Sequence, residues 1–419
     1  MAATLLKVGL VIFFFFLNVK GVREMGLFSA ILTVAIILAF AAVAVVGLMN
    51  WNRSPVTPFI ADEEGGMFRA FGAGLGVALW MYCGFEQISM MSGEIQDAHR
   101  MIPKALMVAI PIISLTYILP TLGGLASIGP WDEWTTETGG AGYAAVLTEN
   151  GIPAGGAIFL VVAVIAQLAA YNVTMGAAAR GVYMLAEENF APKWIAGVSK
   201  TYGTPFYALL LTTVVALVLM PFNFAFLVTL EVFFMVLVYA LLMVSAMILK
   251  RRIPDEEFLF KFPSGRAAHT ICSVIVLVIC VLVTVVSGVD YFFGGLIAIL
   301  LLPVFYVIFK KRYGGCTVNE PREYPRDPRT RLAFGDYTKI GAYLIGVGIY
   351  SVVSRFFLEW YEGPDSAEYY LEEYETGIFS DMILMFSAIL IIGAVCVAVG
   401  AIALLYGRKL DRDGIPSGK

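Results

Sequence analysis

Apolar runs of about 20 residues recur along the whole of this 419-residue chain. That is the length an α-helix needs to cross a hydrocarbon core of about 30 Å. Hydrophobic residues make up 59% of the chain, charged residues 14%, and the mean hydropathy is +0.83, so a soluble domain would lack the charge to cover its surface. Because the runs show no strict apolar–polar alternation, they predict an all-α integral membrane protein rather than a β-barrel.

The connections between the apolar runs alternate in charge, which predicts their sidedness. Of the 28 Lys and Arg residues, 24 fall in one set of connections, including eight from Lys310 to Lys339. The other set is acidic, as in EWYEGPDSAEYYLEEYETG. The positive-inside rule then predicts a multi-pass protein of the cell membrane with a cytoplasmic C-terminus. About eleven spans are expected, at 3–19, 26–49, 70–92, 104–128, 155–186, 205–221, 224–249, 268–288, 291–309, 338–357 and 379–406.

The start of the chain fits this topology poorly. Eleven spans with a cytoplasmic C-terminus place Met1 outside, yet the first span is short and has no signal-peptide cleavage site. We therefore expect that further helices precede this sequence in the complete protein.

Two carboxylates, Glu86 and Glu231, lie well inside predicted spans. A charged side chain there costs about 2.5–3.5 kcal/mol on insertion scales and usually faces a cavity. At 1.5 Å per residue, Glu86 lies about 24 Å below the outer end of its span and Glu231 about 10 Å below the outer end of its own. This difference in depth argues against a shared proton and predicts separate roles in coupling or gating.

The residues around Glu86 fit a broken helix. Gly84 has no Cβ and tolerates non-helical backbone, and transporters use such breaks to present helix ends to substrate. The alternative is a close helix–helix contact at the glycines, with Glu86 bonded to a neighbouring span. The residues alone leave both interpretations open.

Other polar and aromatic side chains are candidates for contact with a ligand. Trp80 lies one turn before Gly84 and about 15 Å below the outer end, too deep for an interfacial belt. We expect its indole to stack on a substrate cation, with a lipid-facing tryptophan as the alternative. Gln167, Asn172 and Thr174 lie near the middle of span 155–186, where they would contact ligand or bond between helices.

The sequence predicts neither a metal site nor a cofactor. His99 and His269 lie far apart, and the five cysteines form no C-x-x-C pair. The cluster of catalytic groups that a membrane-embedded enzyme needs is also missing from the spans, so enzymatic activity is not expected. The net charge of −4 is too small to suggest a nucleic-acid partner.

Four stretches, in matching order, resemble motifs of the amino acid–polyamine–organocation (APC) permease superfamily. GFEQISMMSGEIQDAHRMIPKAL resembles the family's sixth helix and following loop, and AARGVYMLAEENFAPKWIAGVSKTYGTPFYALL looks like the eighth helix, its loop and the start of the ninth. LNVKGVREMG is similar to the loop between the fourth and fifth helices, and KRRIPDEEFLFKFPSG to the loop after the tenth.

The resemblance implies a LeuT-type fold of two inverted helical repeats, with the substrate site at broken helices. Trp80 matches the aromatic position that packs on substrate, and Glu86 matches the acidic position implicated in pH response. The unwound segment is matched by Cys83, Gly84 and Phe85, and Thr174 falls near the eighth-helix position that lines the site.

The resemblance also implies a division of the chain. The family's first three helices have no counterpart here, which makes the chain similar to an N-terminally truncated permease, with the missing part in another segment or a separate chain. The implied parts are the remainder of the first repeat (1–49), the second repeat (50–249), the last two core helices (250–309), a cytoplasmic linker (310–337) and two extra spans (338–419).

The resemblance implies a secondary transporter of amino acids or polyamines that works by alternating access. The resemblance implies a small-molecule substrate, a surrounding lipid bilayer and a link to protons, although span 26–49 has no lysine of the kind found in some proton-coupled members. The acidic outer loops favour a cationic substrate slightly. The alternative is a non-transporting membrane sensor or partner subunit derived from a permease.

Overall fold

The structure, a computed structural model, is almost entirely α-helical. It describes residues 2–21, 25–57, 66–90, 92–130, 134, 142–222, 224–253, 265–286, 288–363, 366–374 and 377–414. Within these residues there is no β-strand, and one isolated β-bridge joins Arg326 and Ala333. The predicted all-α class is confirmed.

Fifteen α-helices are described, and two of them, α4 and α12, are four-residue turns. They are α1 (Ala2–Lys20), α2 (Met25–Met49), α3 (Gly66–Met81), α4 (Gln87–Met90), α5 (Ala98–Ser127), α6 (Tyr143–Glu149), α7 (Pro153–Glu187), α8 (Phe206–Leu219), α9 (Phe224–Arg252), α10 (Gly265–Val286), α11 (Val289–Tyr313), α12 (Cys316–Asn319), α13 (Asp336–Glu362), α14 (Ser366–Tyr374) and α15 (Met382–Gly414).

Among the described residues, eight helices are long and apolar enough to cross a membrane: α2, α5, α7, α9, α10, α11, α13 and α15. The apolar helices α1, α3 and α8 have 19, 16 and 14 residues. A helix therefore stands at each of the eleven predicted spans, and the span at 70–92 is shared by α3 and α4.

The chain forms two compact units that interleave in sequence. Unit 1 comprises Met1–Glu63, Gly84–Tyr183 and Gly197–Val218, and unit 2 comprises Glu64–Cys83, Met184–Ala196 and Leu219–Lys419. The chain passes from unit 2 to unit 1 between α3 and α4, and back again near the end of α7.

In unit 1, α2 and α5 meet backbone to backbone through glycines. A Cβ placed on Gly47 would lie 2.5 Å from the carbonyl carbon of Gly123, so a larger side chain there would force the helices apart. Small residues at such contacts are usual in membranes, where lipid gives little hydrophobic drive for helix association. Val43, Trp134 and Phe159 belong to the buried apolar cluster of this unit.

Unit 2 has its largest core where α11, α13 and α15 meet. Phe292 and Leu296 of α11, Leu358 of α13, and Met385 and Ile389 of α15 are all buried in one cluster. This core joins α11, the last helix of the predicted permease core, to α13 and α15, the two long helices after it.

Helices α13 and α15 pack closely against each other along a glycine face, here called the glycine seam. A Cβ on Gly348 would lie 2.6 Å from the carbonyl oxygen of Gly393, and one on Gly400 would lie 2.8 Å from that of Gly341. Gly393, Gly400 and Gly407 recur every seven residues, which keeps them on one side of α15. The seam allows the two backbones to touch.

The segment between α11 and α13 is folded, and a buried ion pair lies at its base. Lys310 Nζ lies 2.9 Å from Asp336 Oδ2, and both side chains are at most 2% exposed. Lys310 also donates to the Tyr306 hydroxyl at 2.7 Å, and that hydroxyl donates to Asp336 Oδ1 at 3.2 Å. Asp336 Oδ2 also accepts a hydrogen bond from the Ala333 N–H at 3.0 Å, so both buried charges have polar partners.

The same segment is bonded to the loop that follows α7, within unit 2. Asn319 Nδ2 donates to the Glu188 carboxylate at 2.7 Å and to its carbonyl at 2.8 Å. The Asn189 side chain donates to Asn319 Oδ1 at 2.5 Å, and the Gly315 N–H donates to the Asn189 carbonyl at 2.9 Å. The Phe190 ring covers Gly315, so the linker is attached to this loop by both polar and apolar contacts.

Candidate functional site

Helix α3 ends at Met81, and the short helix α4 begins at Gln87, so the helical backbone is interrupted between these residues. Over Tyr82–Glu86 the backbone forms turns, with the Cys83 N–H bonded to the Trp80 carbonyl and the Gln87 N–H to the Gly84 carbonyl. Gly84 has φ +104°, a region that side-chain-bearing residues rarely adopt. The interruption lies in the segment for which the sequence predicts a broken helix.

Glu86 folds back onto the interruption. Its Oε2 accepts the Gly84 N–H at 2.9 Å, and Glu86 is half-buried. A break in a helix leaves N–H donors without intrahelical acceptors, and the carboxylate accepts one of them. Glu86 is therefore part of the local structure of the break. Phe85 beside it is 44% exposed, and Cys83 is half-buried.

The conformation of Gly84 leads to a prediction. A Cβ at this position would meet only Gln87 Nε2, at 3.9 Å, so backbone strain rather than space limits substitution. We expect Gly84→Ala to destabilise the protein by about 1–3 kcal/mol. Gly74→Ala is the matched control, since Gly74 lies within α3 and a Cβ there meets nothing within 4 Å. Thermal unfolding of both purified variants measures the difference, and equal stabilities would contradict the strain.

In unit 2, Trp80 and Glu231 come together. Trp80 Nε1 donates to Glu231 Oε2 at 3.4 Å, with Trp80 half-buried and Glu231 exposed. The indole also packs beside a buried cluster that includes Val236, Cys280 and Val283. Trp80 thus has one apolar face held by α9 and α10 and a polar edge next to a carboxylate.

This pair was not predicted from the sequence, because the depth of Glu231 was set only against that of Glu86. The same counting puts Trp80 about 15 Å and Glu231 about 10 Å below the outer ends of their spans. Because these depths are similar, a comparison of all polar side chains by depth could have found the contact.

In unit 1, Asn172 contacts a neighbouring helix. It is 1% exposed, and its Oδ1 accepts a hydrogen bond from Asn18 Nδ2 at 2.7 Å. Asn18, 3% exposed, also donates to the Phe14 carbonyl at 3.0 Å. This pair joins α1 to α7, which fits the helix-packing alternative for Asn172; a role in binding substrate stays a prediction.

Thr174 does not share the environment of Asn172. Side chains two positions apart point to different sides of a helix, and Thr174 is exposed, as is Gln167. The structure therefore places Asn172 in a helix contact and leaves Thr174 on the surface of unit 1. Asn18 was not singled out from the sequence, although a polar amide directly after a run of four phenylalanines and a leucine was a usable signal.

Metal binding has no visible candidate in the described part of the chain. Three or more His, Cys, Asp or Glu side chains that could hold an ion do not come together among those residues. Unit 1 contains the Glu86 carboxylate beside Gly84, and unit 2 separately contains the Trp80–Glu231 pair.

Comparison with known proteins gives a consistent family. A family model described as amino acid permease matches residues 2–310. The D-serine/D-alanine/glycine transporter of Escherichia coli K12 is 24% identical over 285 residues, covering 64% of this chain and 60% of the relative. The aromatic amino acid transport protein AroP of Escherichia coli O6:H1 is 24% identical over 305 residues, covering 70% and 65%.

A plant protein is similar at the same level. The vacuolar cationic amino acid transporter 8 of Arabidopsis thaliana is 25% identical over 248 residues, covering 58% of this chain and 40% of the relative. The chain spans about two fifths to two thirds of the length of these curated relatives.

Proposed function

Because the chain belongs to the amino acid permease family, we propose that it transports amino acids across a membrane by alternating access. Family membership and the eight long apolar helices among the described residues indicate a membrane transporter rather than an enzyme. The positive-inside distribution of Lys and Arg supports a cytoplasmic C-terminus. The proposed location is the cell membrane.

The observation that carries this proposal is the interruption at Tyr82–Glu86. Irregular backbone at membrane depth is tolerated where protein or a water-filled cavity satisfies its polar groups. Transporters bind substrate and coupling ions at such discontinuous helices. In this chain the freed Gly84 N–H donates a hydrogen bond to the Glu86 carboxylate, which supports binding of a polar ligand or ion at the break.

The relatives do not agree on a substrate side chain, since their names refer to small D-amino acids and glycine, to aromatic amino acids and to cationic amino acids. The Trp80–Glu231 pair supports the cationic class. An indole face attracts an ammonium or guanidinium group, and the Glu231 carboxylate lies at its edge. We therefore propose a basic amino acid, or a polyamine of similar charge, as substrate.

Protonation of Glu86 is the proposed link to protons. An ionised carboxylate accepts the Gly84 N–H more strongly than a neutral one does, so taking up a proton weakens the contact that closes the break. The conformational equilibrium at the break then depends on pH.

We expect Glu86→Gln to flatten the pH dependence of uptake, because glutamine cannot titrate but still accepts a hydrogen bond. The measurement is the initial rate of labelled arginine uptake into proteoliposomes between about pH 4 and pH 7. Glu149→Gln, at an exposed carboxylate at the end of α6, is the matched control and should keep the parental profile. A parental profile in Glu86→Gln would rule out this proton link.

The transport proposal itself has a direct test. Proteoliposomes containing the purified protein should take up labelled arginine, lysine or a polyamine in a saturable way, and empty liposomes should not. Saturable binding with no flux would contradict it and favour the alternative function, a membrane sensor or partner subunit.

A further inference from the structure

We propose that the folded segment between α11 and α13 is a binding surface for anionic phospholipid headgroups. From Lys311 to Lys339 it exposes seven basic side chains but only two acidic ones, Glu320 and Glu323. The other two carboxylates of this stretch are buried: Asp327 in a turn, and Asp336 in its ion pair with Lys310. The exposed charge is therefore strongly positive, whatever solute the protein transports.

The position of this surface points to the membrane rather than to a soluble partner. The segment joins the ends of two helices long enough to cross a bilayer, so it lies at one membrane face. Tyrosines mark the same level: Tyr313 ends α11, and Tyr337 at the start of α13 contacts Tyr406 of α15 with ring centroids 5.4 Å apart. Tyrosine is enriched at the headgroup level of membrane proteins.

The basic side chains are carried on an ordered turn. Asp327 Oδ1 accepts the Arg329 N–H at 2.8 Å, and Asp327 Oδ2 accepts the Thr330 hydroxyl at 2.9 Å. The bridge between Arg326 and Ala333 closes the turn. Because this backbone is already ordered, binding a phosphate group here costs less conformational entropy than binding the same group to a flexible tail.

A second element adds charge to the same surface. Asp411 of α15 accepts the Gly335 N–H at 2.7 Å and the Thr338 hydroxyl at 3.0 Å. These bonds hold the end of α15 beside the start of α13. The exposed charged side chains there are basic at Arg408, Lys409 and Arg412 and acidic at Asp413.

Arginine matches the chemistry of the headgroup. Its planar guanidinium binds phosphate oxygens through two hydrogen bonds and is weakly hydrated. Arg322, Arg326, Arg329 and Arg331 are all exposed. Clusters of four to eight basic residues next to a membrane-spanning helix are typical of anionic-lipid recognition.

The test measures binding of phosphatidylglycerol to the full chain in neutral detergent, by thermal shift and by lipid adducts in native mass spectrometry. We expect phosphatidylglycerol, and not phosphatidylcholine, to raise the unfolding temperature and to remain bound. Changing Arg326, Arg329 and Arg331 together to Gln should weaken phosphatidylglycerol binding at least about tenfold.

The matched control changes Lys250, Arg251 and Arg252 to Gln. These residues end α9, and because α10 and α11 cross and return, they lie at the same membrane face as the segment. The control should bind phosphatidylglycerol as the parent does, and an equal loss in both triple variants would overturn the assignment. Binding of soluble glycerol phosphate as tight as that of the lipid would also overturn it.

Salt dependence tests the unaltered protein, whether or not the triple variants fold. Raising the ionic strength from about 0.05 M to about 0.5 M should weaken phosphatidylglycerol binding, because exposed charges are screened. Binding that does not change with salt would overturn the proposal.

Discussion

Replacing Asp336 with alanine is expected to destabilise the protein by about 3–5 kcal/mol, because it leaves the Lys310 ammonium buried without its carboxylate. Lys310 is 1% exposed, and its other contact is the Tyr306 hydroxyl, which cannot neutralise the charge. The measurement is the free energy of unfolding of the purified protein in a fixed detergent.

A double variant separates the free energy lost with the ion pair from the cost of leaving the Lys310 ammonium buried and unpaired. Lys310→Met/Asp336→Ala removes both charges, and we expect it to recover most of the stability that Asp336→Ala loses. As a control, replacing an exposed charged residue of the same segment, as in Arg322→Ala, should change the free energy of unfolding by less than about 0.5 kcal/mol. If the double variant were as unstable as Asp336→Ala, the loss would come from the Ala333 and Tyr306 contacts instead.

Substituting Glu231 with glutamine is expected to raise the KM for arginine or lysine about tenfold, equivalent to about 1.4 kcal/mol of binding free energy. The amide still accepts the Trp80 N–H, so the indole keeps its position while the negative charge beside it is lost. The KM for a neutral amino acid should stay near its parental value, because its side chain has no charge to pair.

The selectivity ratio gives this test its control. Glu231→Asp keeps the charge and should retain the preference for arginine, although the shorter side chain weakens its contact with Trp80. An equal rise in KM for arginine and alanine in Glu231→Gln would show that Glu231 supports the fold of the site and not the choice of substrate.

The helices could be predicted from the sequence because run length and hydropathy are local properties. Apolar runs of the length of a membrane crossing predicted each long helix, and the motifs predicted a family that the comparison with known proteins confirms. Gly84 beside Glu86 predicted a local departure from helix, and the helix is interrupted there, with Gly84 at φ +104°.

Contacts between distant parts of the chain could not be predicted in the same way. Trp80 and Glu231 are 151 residues apart, and Asn18 and Asn172 are 154 apart. A single sequence gives the depth of each side chain in the membrane but not the direction in which it faces, since a span such as α9 carries too few polar side chains to orient it. Asn172 therefore had two interpretations, and its geometry fits helix packing.

The folded segment after α11 shows another limit of the sequence. Its charge predicted which side of the membrane it occupies, but Lys310 and Asp336 looked like ordinary members of a polar linker. Burial separates them from their neighbours, and burial depends on how α11 and α13 pack.

The glycine seam has a consequence for how the protein is inserted during synthesis. Of the eight long apolar helices among the described residues, α13 is the least apolar, and it carries Arg355 within its span. Arg355 pairs with Glu359 one turn away, with Nη1 and Oε2 2.6 Å apart, and its guanidinium lies over the Phe386 ring of α15. Helix α13 alone is thus poorly suited to insert into lipid. Helix α15 covers the Arg355 guanidinium with the Phe386 ring and packs against the α13 backbone along the glycine seam. The two should enter the bilayer as one hairpin, so a ribosome stalled before α15 would leave α13 only loosely held in the membrane.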